Sequence, residues 1–332
     1  MAYDNINLEK GLYTTGKSFS QALEELDPSE NYKGTSLEGL DAYERQLKRF
    51  DIKVSGPESD TISKFFSTTS SAALFPEYIT RSVNQGVANN NKIEKIVATT
   101  TQIDGLDYRS ISTDEKSIAN SMLMVPEGTM MSEFTITAKG KLTKLSKFGR
   151  MITASYEAIK FQKLDLFTIT LKKIGESISG SEFNRAISVI ADNENLRIFN
   201  SQNTDVTYEE LVKLWSEFSP YQMTSLIVSR EDMAKLLIMP EFRDSTAGLD
   251  FHGTGNLITP FGAEIFCSDN ITEGTFIALD KNYALERVQA GGIVTEYDKL
   301  IDRQIERATI SNIVGFSPIY DDAAILYTNS NV

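Results

Sequence analysis

Residues 151–192 read MITASYEAIKFQKLDLFTITLKKIGESISGSEFNRAISVIAD, a strand, a short helix and one long helix in succession. The short helix is expected around Tyr156 to Phe161. Asp165 stands where an N-cap should, and Phe167, Leu171, Ile174 and Ile178 follow at spacings of four, three and four, which predicts one buried helical face. Past Gly180 the apolar set resumes as Phe183, Ile187 and Ile190 on a shifted phase, so the helix is expected to continue with a bend or a change of covered surface. At 1.5 Å per residue its ~26 residues span about 39 Å, enough to brace a thin, wide subunit.

Upstream, Ile96 and Val97 lie in a Thr-rich run that suits a strand over Ile93 to Thr101. From Phe134, apolar Phe134, Ile136 and Ala138 alternate with Thr135, Thr137 and Lys139, the period of a half-solvated strand. Its continuation carries Lys139, Lys141, Lys144, Lys147 and Arg150 with no acidic residue among them, a cationic arm of a long hairpin that can find an acidic surface. Downstream, residues 205–307 read as a separate α/β module. Thr207 stands three residues before Glu210, a capping-box spacing, and Leu211, Leu214, Trp215 and Phe218 form an apolar stripe. Strands are expected at Ser225 to Val228, Ala263 to Cys267, Thr275 to Leu279 and Gly292 to Glu296, a helix over Arg230 to Met239, and an exposed loop over 245–256. A last strand returns from Ala308 to Tyr320.

The first 60 residues hold two short helical patterns, Phe19 to Leu26 and Leu37 to Phe50, followed by Asp27-Pro28 and Ser55-Gly56-Pro57. Their stripes are too short to be stable alone. The small-polar run Ser67 to Ala73 is expected to be a flexible joint.

These features in this order resemble the major capsid proteins of tailed bacteriophages, which share the Hong Kong 97 fold. The resemblance is carried by Phe75-Pro76-Glu77-Tyr78, the strand Ile96 to Thr101, Val125-Pro126-Glu127-Gly128, Ser155 through the long helix, the α/β segment 205–307, and the strand Ala308 to Tyr320. It implies a mixed α+β fold. Residues 1–92 would be an N-terminal arm and 105–150 an extended loop. Residues 93–104, 151–204 and 308–332 would form a peripheral domain braced by the spine helix, and 205–307 an axial domain.

The implied function is self-assembly into hexamers and pentamers of an icosahedral head enclosing double-stranded DNA, with no catalysis, cofactor or metal. Implied partners are further copies of the chain and a portal protein, with scaffolding, protease and decoration proteins as candidates. The arm is expected to persist in the particle and lie across a neighbour that covers its stripes. Some relatives weld the loop by a lysine-asparagine isopeptide bond, but no motif carries that chemistry here, so a noncovalent shell is the default. The alternative with the same fold is a nanocompartment shell enclosing enzymes.

Composition agrees. A chain of 332 residues with 41% apolar content can bury a real core. No stretch approaches the ~18 consecutive apolar residues of a membrane span, and the N-terminus lacks a cationic, apolar signal region, so assembly in the host cytoplasm is expected. Cys267 is alone, which excludes an intrachain disulfide framework and leaves it as core filler. The formal charge of -13, from 46 acidic and 33 basic residues, excludes a sequence-independent DNA binder but suits a wall that repels phosphate.

Gly11-Leu12-Tyr13-Thr14-Thr15-Gly16-Lys17-Ser18 matches G-x-x-x-x-G-K-[ST], and Phe276 to Asp280 resembles an apolar strand ending in a magnesium-holding Asp. A phosphate loop needs a buried strand before the first glycine, yet Asp4, Asn5, Asn7, Glu9 and Lys10 stand there, so a nucleotide hydrolase remains only a remote alternative. His252 is the sole histidine, which excludes a two-histidine metal site, and it is read as a loop residue.

Overall fold

Several helix starts are fixed by reciprocal caps, in which the N-cap side chain accepts from the third helical residue and that residue's side chain accepts from the N-cap backbone. Ser18 and Gln21 cap Phe19–Leu26, Asp41 and Glu44 cap Ala42–Arg49, and Thr207 and Glu210 cap Tyr208–Ser216. The computed structural model describes residues 2–13, 18–113, 124–131, 135–243, 259 and 261–330. These fall into two compact units.

The first unit takes Met1–Asn90, Phe148–Ser179 and Ile293–Asn312. Its core joins Phe19, Leu23, Tyr43 and Leu47 to Phe65, Leu74, Phe75, Tyr78, Leu171 and Ile174. The expectation that a neighbour must cover the N-terminal stripes is therefore overturned: they bury on their own chain. What sequence pattern could not weigh is Arg45, which is fully buried. Its Nε donates to Asp27 Oδ2 at 2.7 Å, its other nitrogens reach the Leu40 and Asp27 carbonyls, and its guanidinium lies 4.3 Å from the Tyr32 ring centre. A buried charge needs this many partners, and together they lock the two short helices against each other.

Ser67 to Ala73 is no joint either. Thr68 caps a short helix, Thr69–Ala72, and buried Ser71 donates to the Phe65 carbonyl at 2.7 Å. Beyond it the helix Phe75–Asn89 crosses the long helix, Leu164–Ala191. The crossing is backbone against backbone. A Cβ on Gly86 would lie 2.0 Å from the Lys172 carbonyl oxygen, and one on Gly175 would lie 2.1 Å from that of Val83. Next to it Phe75 stacks on Phe167 with rings 9° from parallel. Tyr78 is buried and donates its hydroxyl to the Leu164 carbonyl at 2.9 Å.

The long helix has 28 residues, about 42 Å. It begins two residues earlier than an Asp165 cap implies, with the Leu164 N–H satisfied by the Asp60 carbonyl at 2.8 Å, so Asp165 sits within the first turn and is not the cap. The expected change of covered surface is present. Leu164, Leu171, Ile174 and Ile178 belong to the first unit's core, whereas Phe183, Ile187 and Ile190 are buried in the second unit. The first unit also holds an antiparallel pair, Val294–Leu300 with the start of Ile305–Pro318, in register Val294 to Ser311 and Leu300 to Ile305.

The second unit takes Asn91–Lys147, Gly180–Gly292 and Ile313–Val332. Its five-stranded sheet runs in the order Arg197–Asn200, Ala324–Thr328, Thr275–Leu279, Ser225–Val228, Glu264–Cys267. The inner strand Ser225–Val228 is buried at every position, as a strand covered on both faces must be. Helices Tyr208–Ser216 and Arg230–Ile238 bury Leu211, Leu214 and Leu236 on it, while Trp215 is half exposed against Phe261. Cys267 lies on the edge strand and is only partly buried, so it fills no core. The strand expected from Ile93 begins at Thr99. Ile93–Lys95 is a 3-10 turn whose Ile93 carbonyl accepts from Ile96 and Val97, and both of these are buried. Thr99–Ile103 then pairs in parallel with Leu285–Ala290, which runs antiparallel to the end of Ile305–Pro318.

Gly86→Ala and Gly175→Ala should each destabilise the fold by about 3 kcal/mol or more, because the methyl meets rigid backbone. Gly180→Ala, where a Cβ meets nothing within 4 Å, should stabilise by about 0.5–1 kcal/mol. Denaturant unfolding of the three variants checks both signs.

Burial pushes the Tyr78 phenol up to about 12, only partly offset by its hydroxyl partners. The folded state thus favours the neutral phenol, and this contribution is complete below about pH 10 and lost as the pH rises toward 12. Phenolate absorbance in an alkaline titration should therefore show a late fraction that appears together with loss of helical signal, and the step should shrink in Tyr78→Phe.

Candidate assembly surface

Two consecutive strands of the loop, Ile111–Thr113 and Ile136–Ala138, pair antiparallel from Ile111 opposite Ala138. The hairpin is tied down at its base. Tyr108 and Ser110, just before the first strand, aim their hydroxyls at Glu286, which Thr101 also reaches. Their carbonyls accept from the second arm, Ser110 from Lys139 N at 2.7 Å and Tyr108 from Thr143 N at 2.8 Å. Burial, and then donation to Glu286, raise the Tyr108 phenol above its ordinary value.

The outer part of the loop is the reverse. Val125-Pro126-Glu127-Gly128 makes a turn, with Thr129 N donating to the Pro126 carbonyl at 3.1 Å and Gly128 at φ +79°. Around it Met124, Met130 and Met131 are 97, 93 and 78% exposed, so this end presents thioether side chains to solvent. Phe134, assigned to the second arm from sequence, lies outside the described residues.

The cationic run divides by role. Lys139 is half-buried and its ammonium donates to the Pro318 carbonyl, so it belongs to the base. Lys141, Lys144, Lys147 and Arg150 are exposed, and among the described residues none of them forms an ion pair. Lys147 and Arg150 sit an odd number of positions apart in the strand Leu145–Ser155 and so point to opposite faces. The run is a cationic band around the strand, not a single basic face.

The first unit bears a groove of about 890 Å³, lined by Phe66, Pro76, Met151, Tyr297, Glu296 and Arg307 among others. Tyr297 donates its hydroxyl to Glu306 in its wall, and burial followed by this donation pushes its phenol well up. Glu296 is exposed, and Arg307 is paired with Asp298 at 2.7 Å. The groove thus joins an apolar floor to an acidic rim.

The nucleotide-binding pattern has none of its required setting among the described residues. Lys10–Tyr13 is a 3-10 turn preceded by another, Ala2–Asn5, and Ser18 spends its hydroxyl on capping Phe19–Leu26. Lys17 and His252 lie outside the described residues. Asp280 is buried and accepts from Gln222 N and Asn282 N, holding a turn. Among the described residues no cluster of His, Cys, Asp or Glu could hold a metal, and no helix is long and apolar enough to cross a membrane.

The chain thus combines a 28-residue helix, a hairpin tied at its base and a five-stranded sheet module. The sequence profile of a family described as phage capsid protein matches residues 139–326, more than half of the chain, and the chain belongs to that family. It has the Hong Kong 97 fold of tailed-phage major capsid proteins. The virus-like particle from Pyrococcus furiosus is similar at 16% identity and a TM-score of 0.52, over 76% of this chain and 98% of that one. The capsid of the native GTA particle is similar at 12% identity and 0.53, over 72% and 90%. That of the cyanophage P-SCSP1u is similar at 13% identity and 0.51, over 72% and 88%. At such identities the likeness is one of fold. No curated protein matches in sequence.

Because Lys141, Lys144, Lys147 and Arg150 hold nothing together in their own subunit, replacing all four by Gln should leave unfolding stability within about 0.5 kcal/mol of the parent. Chemical denaturation of the unassembled chain measures this.

Proposed function

We propose that this capsid protein is the major head subunit, whose copies join as hexamers and pentamers and close an icosahedral shell around double-stranded DNA. The observation that carries the proposal is the hairpin. Its Met-rich end and its cations are presented to solvent by a rigidly tied base, in a chain of a capsid family. Such a surface gains burial only from another molecule, and a second copy supplies a matching one in the groove with Glu296 at its rim. Each exposed charge pair is worth only ~0–1 kcal/mol, but a shell repeats it in every subunit.

In this reading 205–307 stand at the capsomer axis, 93–104, 151–204 and 308–332 form the periphery, and 105–150 reach to the neighbour. Residues 1–92 are an arm folded largely onto its own subunit. The acidic chain lines the interior without gluing down DNA, which it encloses with no sequence preference. A portal protein and scaffolding, protease and decoration proteins are the further partners implied, and assembly takes place in the host cytoplasm.

Negative-stain electron microscopy with sedimentation velocity of the purified chain tests the proposal. Closed shells or rings of five or six are expected, weakening as salt screens the cationic contacts. Reversing Lys141, Lys144, Lys147 and Arg150 to Glu should leave a folded subunit that no longer closes. A monomer that never associates, alone or with a co-expressed scaffold, sinks the proposal, and protein cargo in place of nuclease-protected DNA would make it a nanocompartment shell.

A further inference from the structure

Glu286 is 5% exposed, and among the described residues it has no cationic partner. A carboxylate taken out of water in this way must be repaid by donors, and it can only accept. Thr101 Oγ1 and Tyr108 OH each donate to Oε1 at 2.6 Å, and Ser110 Oγ donates to Oε2. Thr101 belongs to the strand beside Glu286, so it adds nothing that the sheet does not already fix. Tyr108 and Ser110 belong to the hairpin. Their side chains hold Glu286 while their carbonyls accept from Thr143 and Lys139 of the second arm, so the first arm is fixed by this carboxylate. The second arm is also held by the Lys139 ammonium on the Pro318 carbonyl and by the pairing of Leu145–Ser155 with Ile305–Pro318.

We propose that Glu286 is the positioning residue of the hairpin: it fixes the base of the loop on the sheet and so sets the direction in which the Met-rich end meets a neighbouring copy. This rests on the shell reading above. Nothing in the sequence Leu285-Glu286-Arg287-Val288 marks it, since a glutamate at the start of a strand is ordinarily a solvated residue. Arg287, the next residue and so on the opposite face of the strand, pairs with Glu182 at 2.8 Å and takes no part in the hairpin contact.

The test is hydrogen exchange on the unassembled chain together with shell yield, for Glu286→Ala, the double variant Tyr108→Phe with Ser110→Ala, and Thr101→Val. In the first two, amides of 108–113 and 136–143 should exchange about tenfold faster or more, the effect of losing one charge-assisted hydrogen bond. Amides of 225–228 and 275–279 should be unchanged, Thr101→Val should resemble the parent, and shell yield should fall with the first two variants. Unchanged exchange in the hairpin, an equal rise throughout the second unit, or normal shells from Glu286→Ala each overturn the proposal. If local exchange rises as expected but the parent chain itself forms no shell, the anchor stands and the shell reading is what fails.

Discussion

The contact between Gly86 and Gly175 is the constraint on which the first unit depends. Two helices can approach to backbone contact only where both lack a side chain, and each glycine costs about 1 kcal/mol of helix propensity relative to alanine. That cost is offset by what the approach makes possible. With the helices this close, Phe75 and Phe167 stack, Tyr78 reaches the first turn of the long helix, and the N-terminal helices close over the same core. A wider crossing would separate these groups and leave a gap, and gaps in a core cost both transfer energy and lost contacts.

Much of this architecture was legible in the sequence, and the misses have physical causes. The long helix, the Thr207 capping box and the strands Ser225–Val228 and Thr275–Leu279 follow from periodicity and caps, which are local signals. Gly86 and Gly175 were silent because one chain cannot distinguish a glycine that admits a neighbouring backbone from one that merely weakens a helix. The N-terminal helices looked marginal because what covers them is distant in sequence, the core of Phe65, Leu74 and Phe75, and because Arg45, which locks them together, is a charged residue that pattern reading assigns to solvent. Ser67 to Ala73 looked loose because small polar residues make good linkers, and equally good caps when their hydroxyls find backbone partners. Of the assembly surface, the cationic run was visible as composition, but the separation of Lys139 from the other four and the role of Glu286 exist only in three dimensions.

The charges divide accordingly. Among the buried ones, Arg45 with Asp27, Glu182 with the half-buried Arg287, and Glu286 with its hydroxyls fix geometry within the subunit. Lys141, Lys144, Lys147 and Arg150 on the loop's second arm are solvated and, among the described residues, form no ion pair at home. Removing one partner of a buried pair strands the other in a poor dielectric, whereas removing an exposed one changes little until a second molecule arrives. In the proposed shell, folding and association would thus be written in different residues, and selection could adjust one with little penalty to the other.

The methionines at the end of the loop bear on a problem of geometry. A closed shell of many identical chains cannot give every copy the same surroundings, so one sequence must fit several slightly different sockets. An aromatic knob would have to be recut for each. Unbranched thioether side chains with three rotatable bonds reshape themselves at little cost, filling irregular hollows that a stiffer residue would leave half empty. In the proposed shell, the exposed Met124, Met130 and Met131 would act as a compliant gasket between rigid parts, absorbing in side-chain torsions the differences between sockets.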